Sequence, residues 1–260
     1  MTGRPDHLTD EAGAILTASI DERVYFVRSK RWIAYPKAVE ILGHLNALLK
    51  HSRTTRMPSL AVYGDSGMGK SMLVEKFKDD YAQTARDRPS GPKAKLLVVE
   101  LAGRPNERRL YAQILAVIGA PQNPRATIVE LERTAVRLLG DLGVQVLILD
   151  EIHNVLAASW REQRVVFNTL RYLSNELKLS LVCFGINEAR QAINGDVQFA
   201  RRFDALCLPR WIANKEFRAA RAGHHPQYAL ERTERSDGER PSAHSADQRR
   251  RQRAHLSHAQ

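Results

Sequence analysis

Cysteine is scarce in this sequence of 260 residues: there are two, Cys183 and Cys207. Both lie inside apolar runs, which predicts buried thiols in a reducing compartment and leaves no framework for a disulfide-stapled domain. Long apolar runs are missing as well. No stretch approaches the roughly 18 residues needed to cross a bilayer, and the opening Met1-Thr2-Gly3-Arg4-Pro5-Asp6 has no apolar core of a signal peptide. These shortages point away from secreted and membrane classes and predict a cytoplasmic protein with no membrane partner. Acid is the third shortage: 29 Asp and Glu stand against 40 Lys and Arg, a formal net charge of +11. That excess favours polyanionic partners such as nucleic acid. A gene whose codon usage favours Arg fits equally well, since Arg outnumbers Lys by 30 to 10. With 43 % hydrophobic and 27 % charged residues the composition is that of a globular protein.

Apolar residues at Ala38, Ile41, Leu42, Leu45, Leu48 and Leu49 make one helix face over 37–50. Before it, 31–36 reads as an extended entry, because Pro36 disfavours helix in its predecessor. Short apolar runs at 60–64, 95–101, 144–149, 179–184 and 205–208 predict strands. Helical patterns fall between them at 70–81, 106–118, 127–140 (closed by Gly140) and along Val166, Leu170, Leu173 and Leu177. Strands alternating with helices predict an α/β fold with a parallel sheet covered on both faces. The tail differs. Residues 218–260 hold nine Arg, no Lys and five of the nine His, with Tyr228, Leu230 and Leu256 as the only large apolar or aromatic side chains. Such a segment buries too little to offset its ordering entropy, so a basic disordered tail is expected. The predicted organisation is an N-terminal extension over 1–36, one α/β domain over 37–217 and the tail.

Two motifs carry chemistry. Gly64-Asp65-Ser66-Gly67-Met68-Gly69-Lys70-Ser71 matches the full phosphate-loop pattern, after a strand and opening a helix. Its glycines let backbone N–H groups wrap the phosphates of ATP. Lys70 is expected on the β/γ-phosphates, and the Ser71 hydroxyl on Mg²⁺. Val146-Leu147-Ile148-Leu149-Asp150-Glu151 delivers two carboxylates at a strand end: Asp150 suits an outer Mg²⁺ ligand and Glu151 can polarise an attacking water. His153 beside them reads as a lone surface histidine. Asn187, ending the strand after Phe184, is a candidate γ-phosphate sensor or a plain turn residue. Arg201-Arg202-Phe203-Asp204 precedes the last strand, and there Arg202 is an arginine-finger candidate or half of a solvated Arg pair.

Together these look like a P-loop NTPase of the AAA+ type. More closely, Arg31-Trp32-Ile33-Ala34-Tyr35, Arg56-Met57-Pro58 and Asp150-Glu151-Ile152-His153-Asn154 resemble the TniB family of ATP-binding transposition proteins, relatives of TnsC and MuB, from about residue 8 to 217. The resemblance implies a bacterial ATPase that forms a homo-oligomer with ATP on target duplex DNA and works with a DDE transposase of the TniA type. It also implies that Arg104, Arg108 and Arg109, after the second strand, face DNA phosphates, where pattern alone makes them a solvated helix face. TniB proteins carry a helical C-terminal lid. Here the apolar pattern stops after Leu208-Pro209-Arg210-Trp211, as an out-of-frame reading of a GC-rich gene produces. A frameshifted or truncated copy lacking the lid is therefore expected, with an evolved basic DNA-binding tail as the alternative. Two other functions stay open: an AAA+ helicase-loader or origin-type ATPase, and a nucleotide-binding adaptor that does not hydrolyse ATP.

Overall fold

The computed structural model describes residues 15–29, 32, 34–86, 94–121 and 123–210. The described residues divide between two units, 34–210 in the larger and those before 34 in the other. In the latter, the described residues form a 3-10 turn, Ile15–Thr17, and helix α1, Ile20–Arg28, started by a reciprocal Ser19/Glu22 capping box. The expectations for the tail after residue 217 and for the lid fall outside the described residues.

The larger unit begins with helix α2, Pro36–Lys50. Pro36 is its first helical residue and not the end of an extended entry, because proline's fixed φ suits a position whose N–H has no intrahelical partner. Strand β1, Ser59–Gly64, leads through the phosphate loop into helix α3, Lys70–Arg86. Then come β2, Leu96–Glu100; α4, Glu107–Ile118; α5, Ile128–Leu142; and β3, Val146–Asp150. Helix α5 runs past Gly140 and is closed by Gly143 at φ 69°, whose N–H bonds the Gly140 and Leu139 carbonyls. Leu142, packed against the core, continues the stripe of Leu131, Ala135 and Leu139 past Gly140, so the apolar face carries the helix to the second glycine. A 3-10 segment, Ile152–Ala157, precedes α6, Trp160–Leu177; the chain continues through β4, Ser180–Gly185, α7, Ala189–Gly195, α8, Val197–Ala200, and β5, Phe203–Leu208.

Among the described residues the sheet has five strands, all parallel, in the order β2-β3-β4-β1-β5. On one face Ala61, Tyr63, Val99, Leu147, Leu149, Leu181 and Cys183 join Leu110, Ile114, Leu139, Phe167 and Leu170 in a single core. The alternate residues Leu60, Val62, Ile148, Val182 and Phe184 point to the other face. There Ile41 and Leu45 of α2 and Leu73 and Phe77 of α3 are equally buried. The phosphate-loop strand β1 and the acidic strand β3 are thus held apart by β4, whose own C-terminal end lies between theirs. Cys183 is buried as expected, but Cys207 is exposed, because β5 is an edge strand. Among the described residues no helix is long and apolar enough to cross a membrane.

Candidate nucleotide site

The loop after β1 folds as its glycines demand. Gly67 and Gly69 take φ of +78° and +90°, a region that side-chain-bearing residues rarely enter. Lys70 is buried, and its Nζ donates to the carbonyls of Gly64 at 2.7 Å and Asp65 at 2.9 Å. A cation is therefore held inside the loop, at the N-terminal end of α3, where the helix dipole adds to its field. The loop and the segment after β3 enclose a cavity of about 540 Å³ lined in part by Gly67, Lys70, Ser71, Glu151 and His153.

Sequence positions 71 and 150 meet here: the Ser71 Oγ lies 3.3 Å from the Asp150 Oδ2 and donates to it. A hydroxyl and a carboxylate side by side are the hard oxygen donors Mg²⁺ takes, so this pair fits the ion. The other oxygen of Asp150 accepts the Glu151 backbone N–H at 2.9 Å. Glu151 itself sits at φ 55°, ψ 39°, a left-handed conformation that costs a non-glycine residue on the order of 1 kcal/mol. That turn swings its half-buried carboxylate toward the cavity. His153, which the sequence reading left without a role, is half-buried with Nδ1 2.9 Å from Glu151 Oε2, at ion-pair distance though without the alignment of a hydrogen bond. The signal was there in the two-residue spacing of Glu151 and His153, but only the 3-10 turn folds them together. Asn154 completes the segment by donating from Nδ2 to the Leu101 carbonyl at 2.5 Å, tying the ends of β2 and β3 together.

Asn187 lies beside the phosphate loop, as β4's place in the sheet requires. Its Nδ2 donates to Asp65 Oδ1 at 2.7 Å. Arg210, just past β5, grips the second oxygen of the same carboxylate. Arg210 first, then Asn187 and Lys70, hold the Asp65 carboxyl below its ordinary range. Asn187 thus lies against the loop through Asp65, and Arg210, which the sequence did not single out, joins it there. No sequence pattern pairs two residues 145 positions apart.

The remaining expected residues lie elsewhere. Arg202 stands immediately before β5, at the end of the sheet opposite the phosphate loop, and its Nη1 donates to Asn175 Oδ1 at 2.7 Å. Burial, then Arg56 and Arg171 nearby, disfavours its charged form. Arg104 pairs with Glu162 at 2.6 Å. Arg108 forks onto the carbonyls of Ala126 and Pro124 at 2.6 and 2.7 Å, a brace for the α4–α5 loop. Arg109 is exposed, and its guanidinium lies along Gly103.

Among solved structures, the Aeropyrum pernix ORC1 protein in complex with DNA matches with a TM-score of 0.55 at 18 % identity, over 68 % of this chain and 45 % of that one. The Aeropyrum pernix ORC2 protein with ADPNP and ADP gives 0.51 at 17 %, over 70 % and 50 %. Cdc6p from Pyrobaculum aerophilum gives 0.50 at 19 %, over 72 % and 49 %. At these identities the likeness is one of fold, the AAA+ form of the P-loop NTPase, and the chain spans about half the length of each. No curated protein sequence matches it. A family model described as bacterial TniB protein matches residues 23–213.

Proposed function

The chain belongs to the bacterial TniB family, and we propose that it is an ATP-dependent DNA-binding protein of transposition, which assembles on target duplex DNA and hands it to a DDE transposase of the TniA type. The observation that carries this reading is the phosphate loop with Lys70 buried inside it and the Ser71–Asp150 pair 3.3 Å apart beside it. In this reading Gly64 to Ser71 wrap the phosphates with backbone N–H groups, and Lys70 exchanges the Gly64 and Asp65 carbonyls for phosphate oxygens. Ser71 and Asp150 would hold Mg²⁺, which would supply charge neutralisation at the phosphoryl oxygens. Glu151 accepts the proton of the attacking water, with His153 2.9 Å from that carboxylate. Asn187, on Asp65, couples the strand end between the two motifs to the loop. Arg202 acts on the nucleotide of a neighbouring subunit, because its own phosphate loop is at the far end of the sheet.

Of the three arginines Arg109 is the better candidate for DNA phosphates, since Arg104 pairs with Glu162 and the Arg108 donors brace a loop. An origin-type AAA+ role is the second reading, favoured by the ORC1 fold likeness. Co-purification of a transposase, against that of a replicative helicase, distinguishes the two. The first test is Lys70→Ala, which removes the one cation inside the loop and abolishes binding of a fluorescent ATP analogue. Unchanged affinity refutes the assignment.

A further inference from the structure

We propose that Arg56 and Arg171 form, with Arg202, a receptor for clustered phosphates at the end of the sheet opposite the phosphate loop, and that its ligand is the polyphosphate chain of a nucleoside triphosphate. Arg56, Arg171, Lys178, Arg201 and Arg202 line one open cavity of about 530 Å³ together with Asn175. Five cations share this space, and among the described residues none of them pairs with a carboxylate. Their partners are neutral. Arg56 donates to the Arg201 carbonyl at 3.0 Å, Arg202 to Asn175 at 2.7 Å, and Arg171 to Gln198 at 2.5 Å and Asn168 at 2.8 Å.

These bonds matter in two ways. Each guanidinium carries five N–H donors, so one or two amide or carbonyl contacts fix its direction and leave others for a ligand. Neutral acceptors also leave the charge uncompensated, so the cations repel one another until an anion enters. Burial first, and then Arg56 and Arg171, lowers the proton affinity of Arg202, as expected of a guanidinium packed among other cations. Planar forks held in place match phosphate oxygens.

The chain's own nucleotide site cannot supply those phosphates. Arg202 precedes β5 and Arg56 precedes β1, whereas the phosphate loop follows β1, whose six residues span about 20 Å. The phosphates therefore come either from free nucleotide or from a nucleotide held on the phosphate loop of a second copy. This second source rests on the ATP-binding reading above. Convergence of all five cations on one cavity suits a compact triphosphate better than the linear array of a DNA strand.

The test uses the full chain with the double substitution Arg56→Gln and Arg171→Gln, which preserves size and polarity. In the first arm, inorganic triphosphate is titrated calorimetrically into Lys70→Ala protein with and without the double substitution. In the second, ATP-driven association of chains with intact Lys70 is followed by sedimentation. A tenfold or greater loss in the first arm upholds the receptor with free nucleotide as source. A like loss in the second arm, with affinity for a fluorescent ATP analogue unchanged, upholds it with a second copy as source. The unfolding temperature of the double variant stays level or rises, which separates lost binding from lost structure. Parental behaviour in both arms, while the parent binds the ATP analogue, overturns the proposal. So does a loss confined to the salt dependence of duplex binding, which makes the cavity a DNA contact. Failure of the parent to bind the analogue sinks the ATP-binding reading instead, and the first arm still decides the receptor.

Discussion

Phe199 decides whether Arg201 and Arg202 are presented at all. Helix α8 has four residues, too few to stand on its own hydrogen bonds. It is held by Asp196, whose Oδ1 accepts the Gln198 and Phe199 N–H groups at 3.0 Å each, and by the fully buried Phe199 ring. That ring lies 4.8 Å from Phe167 of α6 and 4.7 Å from Phe203 of β5, centre to centre, tilted by 36° and 46°. Phe199→Ala loses the transfer energy of the ring and leaves a cavity, together about 3–5 kcal/mol. The two ring contacts account for roughly 0.5–1.5 kcal/mol each. Phe199→Leu keeps most of the apolar volume and forfeits mainly those contacts, so its cost is about 1–3 kcal/mol. Urea unfolding reads both values, with an unchanged denaturant slope showing that two-state behaviour persists. Because the phosphate loop lies at the other end of the sheet, ATP-analogue affinity stays parental in Phe199→Leu while ATP-driven association weakens. A cost below about 1 kcal/mol for Phe199→Ala refutes the idea that packing of this ring positions the segment.

Glu151→Gln keeps the shape of the left-handed turn and removes the base, so ATP binding persists while single-turnover hydrolysis falls by roughly 10²-fold or more; parental hydrolysis means another group activates the water. Lys178 closes α6 at φ 52°, and Lys178→Gly relieves that conformation, raising stability by about 0.5–1 kcal/mol in urea titrations; a loss of stability shows that the side chain matters more than the backbone. Glu162 completes the Ser159 capping box of α6, and the Ser159 hydroxyl first, then Arg104, lowers its carboxyl to about 2. A depressed carboxyl stabilises the fold above its ordinary value of 4.5 and loses that contribution as pH falls toward about 2. The melting-temperature gap between parent and Glu162→Gln is therefore full at pH 7 and narrows through that window; a gap constant down to pH 2 contradicts the assignment.

Local chemistry made much of this protein legible in one dimension. The phosphate loop declares itself because glycine takes φ of +78° and +90° far more readily than any side-chain-bearing residue, and Lys70 and Ser71 follow at a spacing that a helix N-terminus dictates. The inner strands β1, β3 and β4 were readable as apolar runs, since a strand covered on both faces has no polar side to interrupt it. Strand and helix ends were not, because neighbours set them: Leu142 carries α5 past Gly140 on the strength of its packing, and edge position exposes Cys207. The family resemblance drawn from 31–35, 56–58 and 150–154 agrees with the family match over 23–213. What only the tertiary structure decided are the meetings between distant residues. Strand β4 entering between β1 and β3 brings Asn187 to Asp65, and the path of β5 brings Arg210 to the same carboxylate. Arg171, on the polar side of α6, is indistinguishable in sequence from any solvated arginine. Parallel strands bring their N-terminal ends to one edge, and that edge sets Arg171 beside Arg56 and Arg202. Residue type and spacing prescribe local geometry, whereas such contacts depend on the order in which strands pair, which no local pattern encodes.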